Sequence, residues 1–432
     1  MRVMTDAQFM RLALLLARRG SGATSPNPMV GAVLVKDGKI IGRGWHRRAG
    51  GPHAEIEALR DAEKHARSPK GATLYVTLEP CCTQGRTPPC TEAIIAAGIR
   101  RVVVGAADLN PRHRGRAFRI LRRAGLKVEA IAANRGWGES PREPRAGSSV
   151  ASPHQSLADE CARLNEAFNH WIVHRTPFVT VKAAMTLDGK IATASGESKW
   201  ITSEPARACG MQLRRDADAI LVGINTVLAD DPSLTVRATK YPGANTEHPS
   251  SNIQHRTFNV QRPIPHIKGR WPRRIVLDSM ARTPPAAKVI SDEFAALTTI
   301  IVSRRAPKRR VAALARRVNV IIAPATKGAS HLTPHASDID LRWLLKTLGE
   351  QNVTSLLVEG GGEVNASFLL AHLAHRIAFF YAPKILGGRA CRLAVAGDGI
   401  SRGSEIIELR DLQWHKLGPD LLLTARVVAV AR

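Results

Sequence analysis

A chain of 432 residues is long for one domain, so two or three compact units are expected. Its 44% hydrophobic content supports sizeable cores, and only 4% aromatic residues argues against base-stacking platforms for single-stranded nucleic acid. The net charge of +27 admits a nucleic-acid partner or phosphorylated ligands, but outside 303–310 and 262–274 the basic residues are dispersed, which suits a solvated arginine-rich surface.

In chain order, 6–19 reads as a surface helix rather than a signal peptide, because Asp6 interrupts the apolar stretch and no small-residue cleavage site follows. No apolar run approaches the ~20 residues that span a bilayer, so no membrane association is expected. Six cysteines, with Cys161, Cys209 and Cys391 isolated, do not form a disulfide framework, and a cytoplasmic location is expected. The stretch 29–46 reads as two strands joined by Asp37-Gly38, a strong hairpin signal. A helix follows over 53–67 with Ile56, Leu59 and Ala62 on one face, then a buried strand ending at Pro80. Two helix–strand units complete an α/β layered domain over 1–150.

Residues 135–156, rich in Gly, Pro and Ser, read as a flexible linker or insertion, and 157–174 as one connecting helix. A second domain over 175–432 again alternates: strands 178–184, 218–223, 274–278, 298–303 and 355–359, with helices 204–215 and 364–373. A surface insertion is expected over 239–272.

Chemistry concentrates in two places. "PHAE" sets His53 and Glu55 at a helix start, and Cys81 and Cys90 each read as beginning a helix after a strand or a proline pair. One imidazole and two thiolates make a borderline-soft donor set that suits Zn²⁺ and leaves a fourth position for water. Glu55, two residues from the imidazole, stands where it can shuttle a proton without ligating the metal, the order found in zinc deaminases. Cys82 directly follows Cys81 and is a neighbour rather than a ligand.

Most such deaminases keep two residues between the cysteines; this chain has eight. "EPC" followed by "GRTPPC", with "PNPMVGAVLV" and "PHAEIEAL" upstream, resembles the deaminase half of the bifunctional riboflavin-biosynthesis family over about 6–130. The resemblance implies a cytidine-deaminase-like fold and hydrolytic deamination of 2,5-diamino-6-ribosylamino-4(3H)-pyrimidinone 5′-phosphate. It assigns His53, Cys81 and Cys90 to zinc, Glu55 to proton transfer and Asn27 to the pyrimidine. Where the family has Ser-His after the first cysteine, this chain has Cys82-Thr83, and "DLNP" places Leu109 in a usual Asp-Pro-Asn-Pro.

In the second half, "VEGGGE" follows a strand and precedes a helix, so its glycines let backbone N–H groups approach a pyrophosphate at a positive helix end. This segment, with "VKAAMTLDGKIATASGESKWITS", "AILVGINTVLADDPSLTVR" and "RRIVLDS", resembles the family's dihydrofolate-reductase-like half over 175–237 and 273–432. The resemblance implies NADPH reduction of the ribosyl side chain to ribityl. It implies NADPH contacts at Ala184, Trp200, Thr226, Asp230, Ser279 and the run Gly361, Gly362, Glu363, Val364, Asn365, Ala366 and Ser367. Substrate contacts fall on Ser198, Arg214, Leu234, Arg237 and Glu359, where the two guanidinium forks match phosphate oxygens. Lys182, Asp230 and Glu359 are three alternatives for the acid that assists the reduction. Arg304-Arg305, at a strand end, is a plausible reader of the cofactor 2′-phosphate.

The leading expectation is therefore a bifunctional enzyme for small phosphorylated pyrimidines, with Zn²⁺ and NADPH as cofactors, no nucleic-acid partner, and a homodimer or homotetramer as the family expectation. Two alternatives stand beside it. One is a nucleic-acid base deaminase with a basic accessory domain; the other is a protein whose deaminase site is degenerate.

Overall fold

Strand alternation in the sequence has a direct structural outcome: successive residues of one strand serve two different cores. The computed structural model describes residues 4–85, 88–131, 157–236, 271–324 and 339–428, in two units, Met1–Arg175 and Thr176–Arg432. The first unit runs α1 (Asp6–Ala17), β1 (Gly31–Lys36), β2 (Lys39–Trp45), α2 (Ala54–Lys64), β3 (Thr73–Val76), α3 (Cys90–Ala96), β4 (Arg101–Val104), α4 (Arg116–Arg123), β5 (Lys127–Ala130), α5 (Leu157–Leu164) and α6 (Glu166–His174). Its sheet has the order β2-β1-β3-β4-β5, antiparallel at β1 and parallel from β3 to β5. Ala32, Leu34, Leu74, Val76, Val102 and Val104 pack with α2, α3 and α4. Val33, Val35, Tyr75 and Val103 pack with α1 and α5 on the other face. The result is the α/β/α sandwich expected of a cytidine-deaminase-like domain.

Asp37 and Gly38 both take left-handed φ, 49° and 71°, the geometry of a type I′ hairpin turn. The face of α2 differs from the expected one. Ala54, Ala58 and Ala62 are buried, while Ile56 and Leu59 are only partly so. The cause lies on β2, where a Cβ on Gly44 would stand 2.2 Å from the Ala54 carbonyl and one on Gly42 2.3 Å from that of Ala58. The glycines admit the helix backbone, so small residues rather than large ones face the hairpin. The single helix expected over 157–174 is two helices. They break at Asn165, whose buried amide accepts from Met29 N (2.7 Å) and donates to Met29 O (2.9 Å). Leu157 and Cys161 are part of the first unit's core.

The second unit comprises β6 (Phe178–Thr186), β7 (Lys190–Ala192), α7 (Glu204–Asp216), β8 (Ala219–Gly223), α8 (Ile224–Asp230), β9 (Arg273–Leu277), α9 (Lys288–Ser291), β10 (Thr298–Val302), α10 (Lys308–Ala315), β11 (Asn319–Ile322), α11 (Leu341–Glu350), β12 (Ser355–Val358), α12 (Gly362–Leu370), β13 (Arg376–Ala382), β14 (Arg392–Leu393), β15 (Leu409–Leu417) and β16 (Asp420–Val427). Nine strands form one sheet in the order β11-β10-β9-β8-β12-β6-β13-β16-β15. It is parallel from β11 to β13, and β16 and β15 add antiparallel at the far edge. The strand before the glycine turn, β12, returns to lie between β6 and β8, so the carboxyl ends of β9, β8, β12 and β6 stand side by side. Ligands of open α/β sheets bind at such strand ends. The helix expected at 364–373 begins two residues earlier, at Gly362, which puts its amino end on the glycines themselves. The linker at 135–156 and all but 271–272 of the insertion at 239–272 lie outside the described residues.

Candidate functional site

The first unit gathers its donors at two helix starts. His53 is the residue capping α2, and Cys90 opens α3. Cys81 does not open a helix, contrary to the sequence expectation, but sits in the loop after β3, held by a hydrogen bond from Cys90 N to its Sγ at 3.3 Å. His53 Nδ1 lies 3.3 Å from Cys90 Sγ and 3.4 Å from Cys81 Sγ, and all three ligand atoms fall within 4.8 Å of one another. A tetrahedral zinc ion, with bonds of about 2.0 Å to nitrogen and about 2.3 Å to sulfur, sets N and S roughly 3.5 Å apart. Donor identity and spacing therefore both fit zinc. Hydrogen bonds from Cys90 and His53 hold the Cys81 thiol down at about 4, and the same contact to Cys81 raises the His53 imidazole.

Glu55, in the first turn of α2, is only 3% exposed. Burial, reinforced by the Cys81 charge, pushes its carboxyl up to about 7, the range suited to moving protons at neutral pH. Cys82 is not in the donor set.

Asn27 has a partner that the sequence did not reveal. Its Nδ2 lies 3.2 Å from His46 Nε2, and His46 Nδ1 is 2.9 Å from the Pro52 carbonyl. Donation from Nδ1 to that carbonyl leaves Nε2 to accept from the amide, which fixes which way Asn27 faces. His46 is 1% exposed, and burial lowers its pKa, keeping the ring in the neutral form this requires. A histidine at a strand end has no signature that would have marked this role.

In the second unit the expected residues line up along the carboxyl edge of the sheet. Thr226 and Asp230 lie on α8 after β8, Ser279 just past β9, Glu359 just past β12, and Lys182 and Ala184 on one face of β6. Ser198 Oγ donates to Asp230 Oδ1 at 2.9 Å. Trp200 is 67% exposed and carries the Arg207 guanidinium over its ring at 4.6 Å. Arg304 and Arg305 follow β10, the neighbour of β9, and so reach the same edge.

The glycine turn suits a dinucleotide. Gly361 caps α12, and the first amides of a helix have no intrahelical acceptor. A Cβ on Gly361 would meet nothing closer than Thr226 Oγ1 at 3.9 Å, so the approach to these amides is open. Gly360 and Gly362 serve packing instead: a Cβ on Gly360 would be 2.5 Å from Val364 Cβ, and one on Gly362 2.3 Å from the Leu393 carbonyl. Asn365 and Ala366 point into the protein, Asn365 Nδ2 donating to Ala394 O at 2.8 Å. Glu363 accepts at its carbonyl from Ser367 Oγ, 2.8 Å away. What this run can offer a ligand is mainly its backbone.

Two substrate-side expectations change in character. Arg214 is not a free phosphate grip, since Nε and Nη2 donate to the two Glu359 oxygens at 2.9 and 2.6 Å. Burial would raise the Glu359 carboxyl, but Arg214, with Lys182 nearby, overcomes it and holds the group down at about 2. Glu359 is thus a carboxylate at neutral pH. Leu234 adopts φ 49° and is buried in the core beside α8, 1% exposed, so its side chain is a packing group rather than an open substrate contact. Arg237 lies outside the described residues.

Comparison with known proteins agrees with both halves. Residues 177–423 match the RibD C-terminal domain, and 3–106 match the cytidine and deoxycytidylate deaminase zinc-binding region. The chain is 40% identical to riboflavin biosynthesis protein RibD of Aquifex aeolicus, covering 97% of each. It is 37% identical to that of Escherichia coli, over 97% of this chain and 99% of the relative. Among solved structures, Acinetobacter baumannii RibD superposes with a TM-score of 0.74 at 32% identity, covering 98% of this chain and 99% of that one. A diaminohydroxyphosphoribosylaminopyrimidine deaminase/5-amino-6-(5-phosphoribosylamino)uracil reductase from Thermotoga maritima gives 0.71 at 31%, with the same coverage. With near-complete coverage and both halves in the same order, the chain belongs to the RibD family of riboflavin biosynthesis proteins.

Proposed function

We infer that this chain catalyses two successive steps of riboflavin biosynthesis. The first is hydrolytic deamination of 2,5-diamino-6-ribosylamino-4(3H)-pyrimidinone 5′-phosphate. The second is NADPH reduction of the ribosyl side chain, giving 5-amino-6-ribitylamino-uracil 5′-phosphate. The observation that carries this reading is the His53–Cys81–Cys90 donor set with Glu55 buried beside it. Residues 1–150, together with the helices at 157–174, are assigned to the deaminase, and 175–432 to the reductase.

His53, Cys81 and Cys90 would hold zinc, which as a Lewis acid lowers the pKa of coordinated water. Glu55 then takes a proton at its carboxylate and returns it to the departing amine, a role its near-neutral pKa supports. Asn27, oriented by His46, presents its amide to the pyrimidine. In the reductase, the amides at the start of α12 would hold the pyrophosphate of NADPH, which when bound would supply the hydride. Among the three candidate acids, Glu359 is held ionised by Arg214 and cannot donate a proton near neutrality. Asp230 accepts from Ser198. Lys182, set on β6 close enough to Glu359 to help hold it ionised, is assigned as the group that polarises the reacting centre. The Arg214–Glu359 pair positions it and the substrate.

The partners proposed are small phosphorylated pyrimidines rather than nucleic acid, with a homodimer or homotetramer acting in the cytoplasm. No described helix is long and apolar enough to cross a membrane. The test supplies the diaminopyrimidine phosphate with and without NADPH and follows both products. Ammonia release without NADPH, abolished by chelation, followed by NADPH oxidation on addition of the cofactor, is expected. Oxidation only with pre-deaminated substrate would remove the first activity.

A further inference from the structure

Beside the zinc ligands, a second cluster plays no part in the chemistry above. Glu79, in the turn before Cys81, is buried, and its Oε2 accepts from Asp108 N (3.2 Å) and Gly115 N (3.0 Å) while Oε1 accepts from Ala117 N (3.1 Å). This one carboxylate fastens the loop between β4 and α4 to the loop that carries Cys81. On that fastened loop, His113 Nε2 stands 3.0 Å from Thr83 Oγ1. Behind the ring, Asp108 Oδ2 faces Nδ1 at 3.6 Å, and Nδ1 is buried with no hydrogen-bond partner among the described residues. Asp108 is buried as well, its Oδ1 accepting from Asn110 N at 2.8 Å.

A carboxylate facing Nδ1 favours the tautomer with its proton there. Nε2 is then an acceptor, and the Thr83 hydroxyl donates to it. The lone pairs of Thr83 Oγ are left to face outward from a half-buried side chain two residues from a zinc ligand. The Thr83–His113 contact is not needed to keep the two loops together, because Glu79 already does so through three backbone amides. The segment 81–85, Cys-Cys-Thr-Gln-Gly, has no imidazole of its own, and His113 brings one to it from 30 residues away.

We propose that Asp108, His113 and Thr83 form a carboxylate–imidazole–hydroxyl relay that holds the Thr83 oxygen as an oriented hydrogen-bond acceptor for an amino or hydroxyl donor of the substrate entering the zinc site. Thr83 touches the substrate; His113 is a positioning residue, and no proton changes hands. The proposal rests on the deaminase reading of that site.

The test measures ammonia release by the full-length zinc-loaded enzyme, with zinc content and reduction of pre-deaminated substrate recorded on the same preparations. Thr83→Val and His113→Ala should each raise the deamination KM about tenfold, the scale of one lost hydrogen bond, with kcat within about twofold. The double variant should be no worse than Thr83→Val alone, because the two residues act as one unit. Thr83→Ser, which keeps the hydroxyl, should restore the KM, while zinc content and reductase rate stay level throughout. An unchanged KM in Thr83→Val, additive effects in the double variant, or zinc loss in either single variant would overturn the relay. Wild-type enzyme that holds zinc yet releases no ammonia would overturn the deaminase reading, and the relay with it.

Discussion

Replacing Glu359 by glutamine tests the reductase site at its most consequential contact. The bidentate pair with Arg214 is buried, the two side chains being 16% and 9% exposed. Lowering the Glu359 carboxyl from its ordinary 4.5 to about 2 means that folding favours the ionised form. At roughly 1.4 kcal/mol per tenfold, that preference is worth about 3 kcal/mol. Glutamine keeps the shape but leaves the Arg214 charge uncompensated, and breaking a buried pair on one side costs about 3–5 kcal/mol. Both routes give the same scale. The folded value lies below the unfolded one, so the stabilisation is complete above about 4.5 and is lost as pH falls toward 2. Urea unfolding of full-length wild type and Glu359→Gln, followed by circular dichroism, measures it; the transition that NADPH shifts in wild type reports the second unit. The variant should lose about 3 kcal/mol or more at pH 7, and the gap should narrow by about 1 kcal/mol at pH 3.5. A gap under about 1 kcal/mol at pH 7, or one that does not narrow, would refute the argument that Arg214 and Glu359 are committed to each other.

Three further outcomes are expected. Glu55→Gln should lower ammonia release about 10²- to 10⁴-fold with zinc content and reductase rate unchanged, and release within tenfold of wild type would take Glu55 out of the proton path. Gly361→Ala and Gly362→Ala should part ways. A methyl on Gly361 meets open space, so that variant should fold normally while its KM for NADPH rises about tenfold or more; a methyl on Gly362 meets the Leu393 carbonyl at 2.3 Å, so that variant should be destabilised. Equal stability loss in both would mean the turn serves packing alone. For Arg304→Ala/Arg305→Ala, the preference for NADPH over NADH should collapse, and a retained preference would assign the 2′-phosphate elsewhere.

Motifs whose meaning lies in local spacing were legible before any fold was known. His53, Glu55 and Cys90 stand at helix starts that a proline announces, Cys81 follows a strand end and a proline, and the donor types alone select zinc. The glycine turn announced a helix end for the same reason, although the start of α12 was placed two residues late. Periodicity misread α2, because the residues that decide its buried face are glycines on another element, Gly42 and Gly44. The antiparallel strands β15 and β16, which close the far edge of the second sheet, carried no motif and went unmarked.

The sequence by itself determined the two-unit organisation, the His53, Cys81 and Cys90 donor set with Glu55 nearby, and the glycine-lined helix start. Each depends on residues close together in the chain, whose geometry local backbone rules dictate. Tertiary structure alone decided who partners whom across long separations. It turned Arg214 from a presumed phosphate grip into the counter-charge of Glu359, 145 residues away. It also set His46 to orient Asn27 and carried His113 to Thr83. Side chains from distant segments meet only where strand order and loop clamps bring them. Once buried, each polar group must find a partner, and the one it finds sets its charge state and its chemistry.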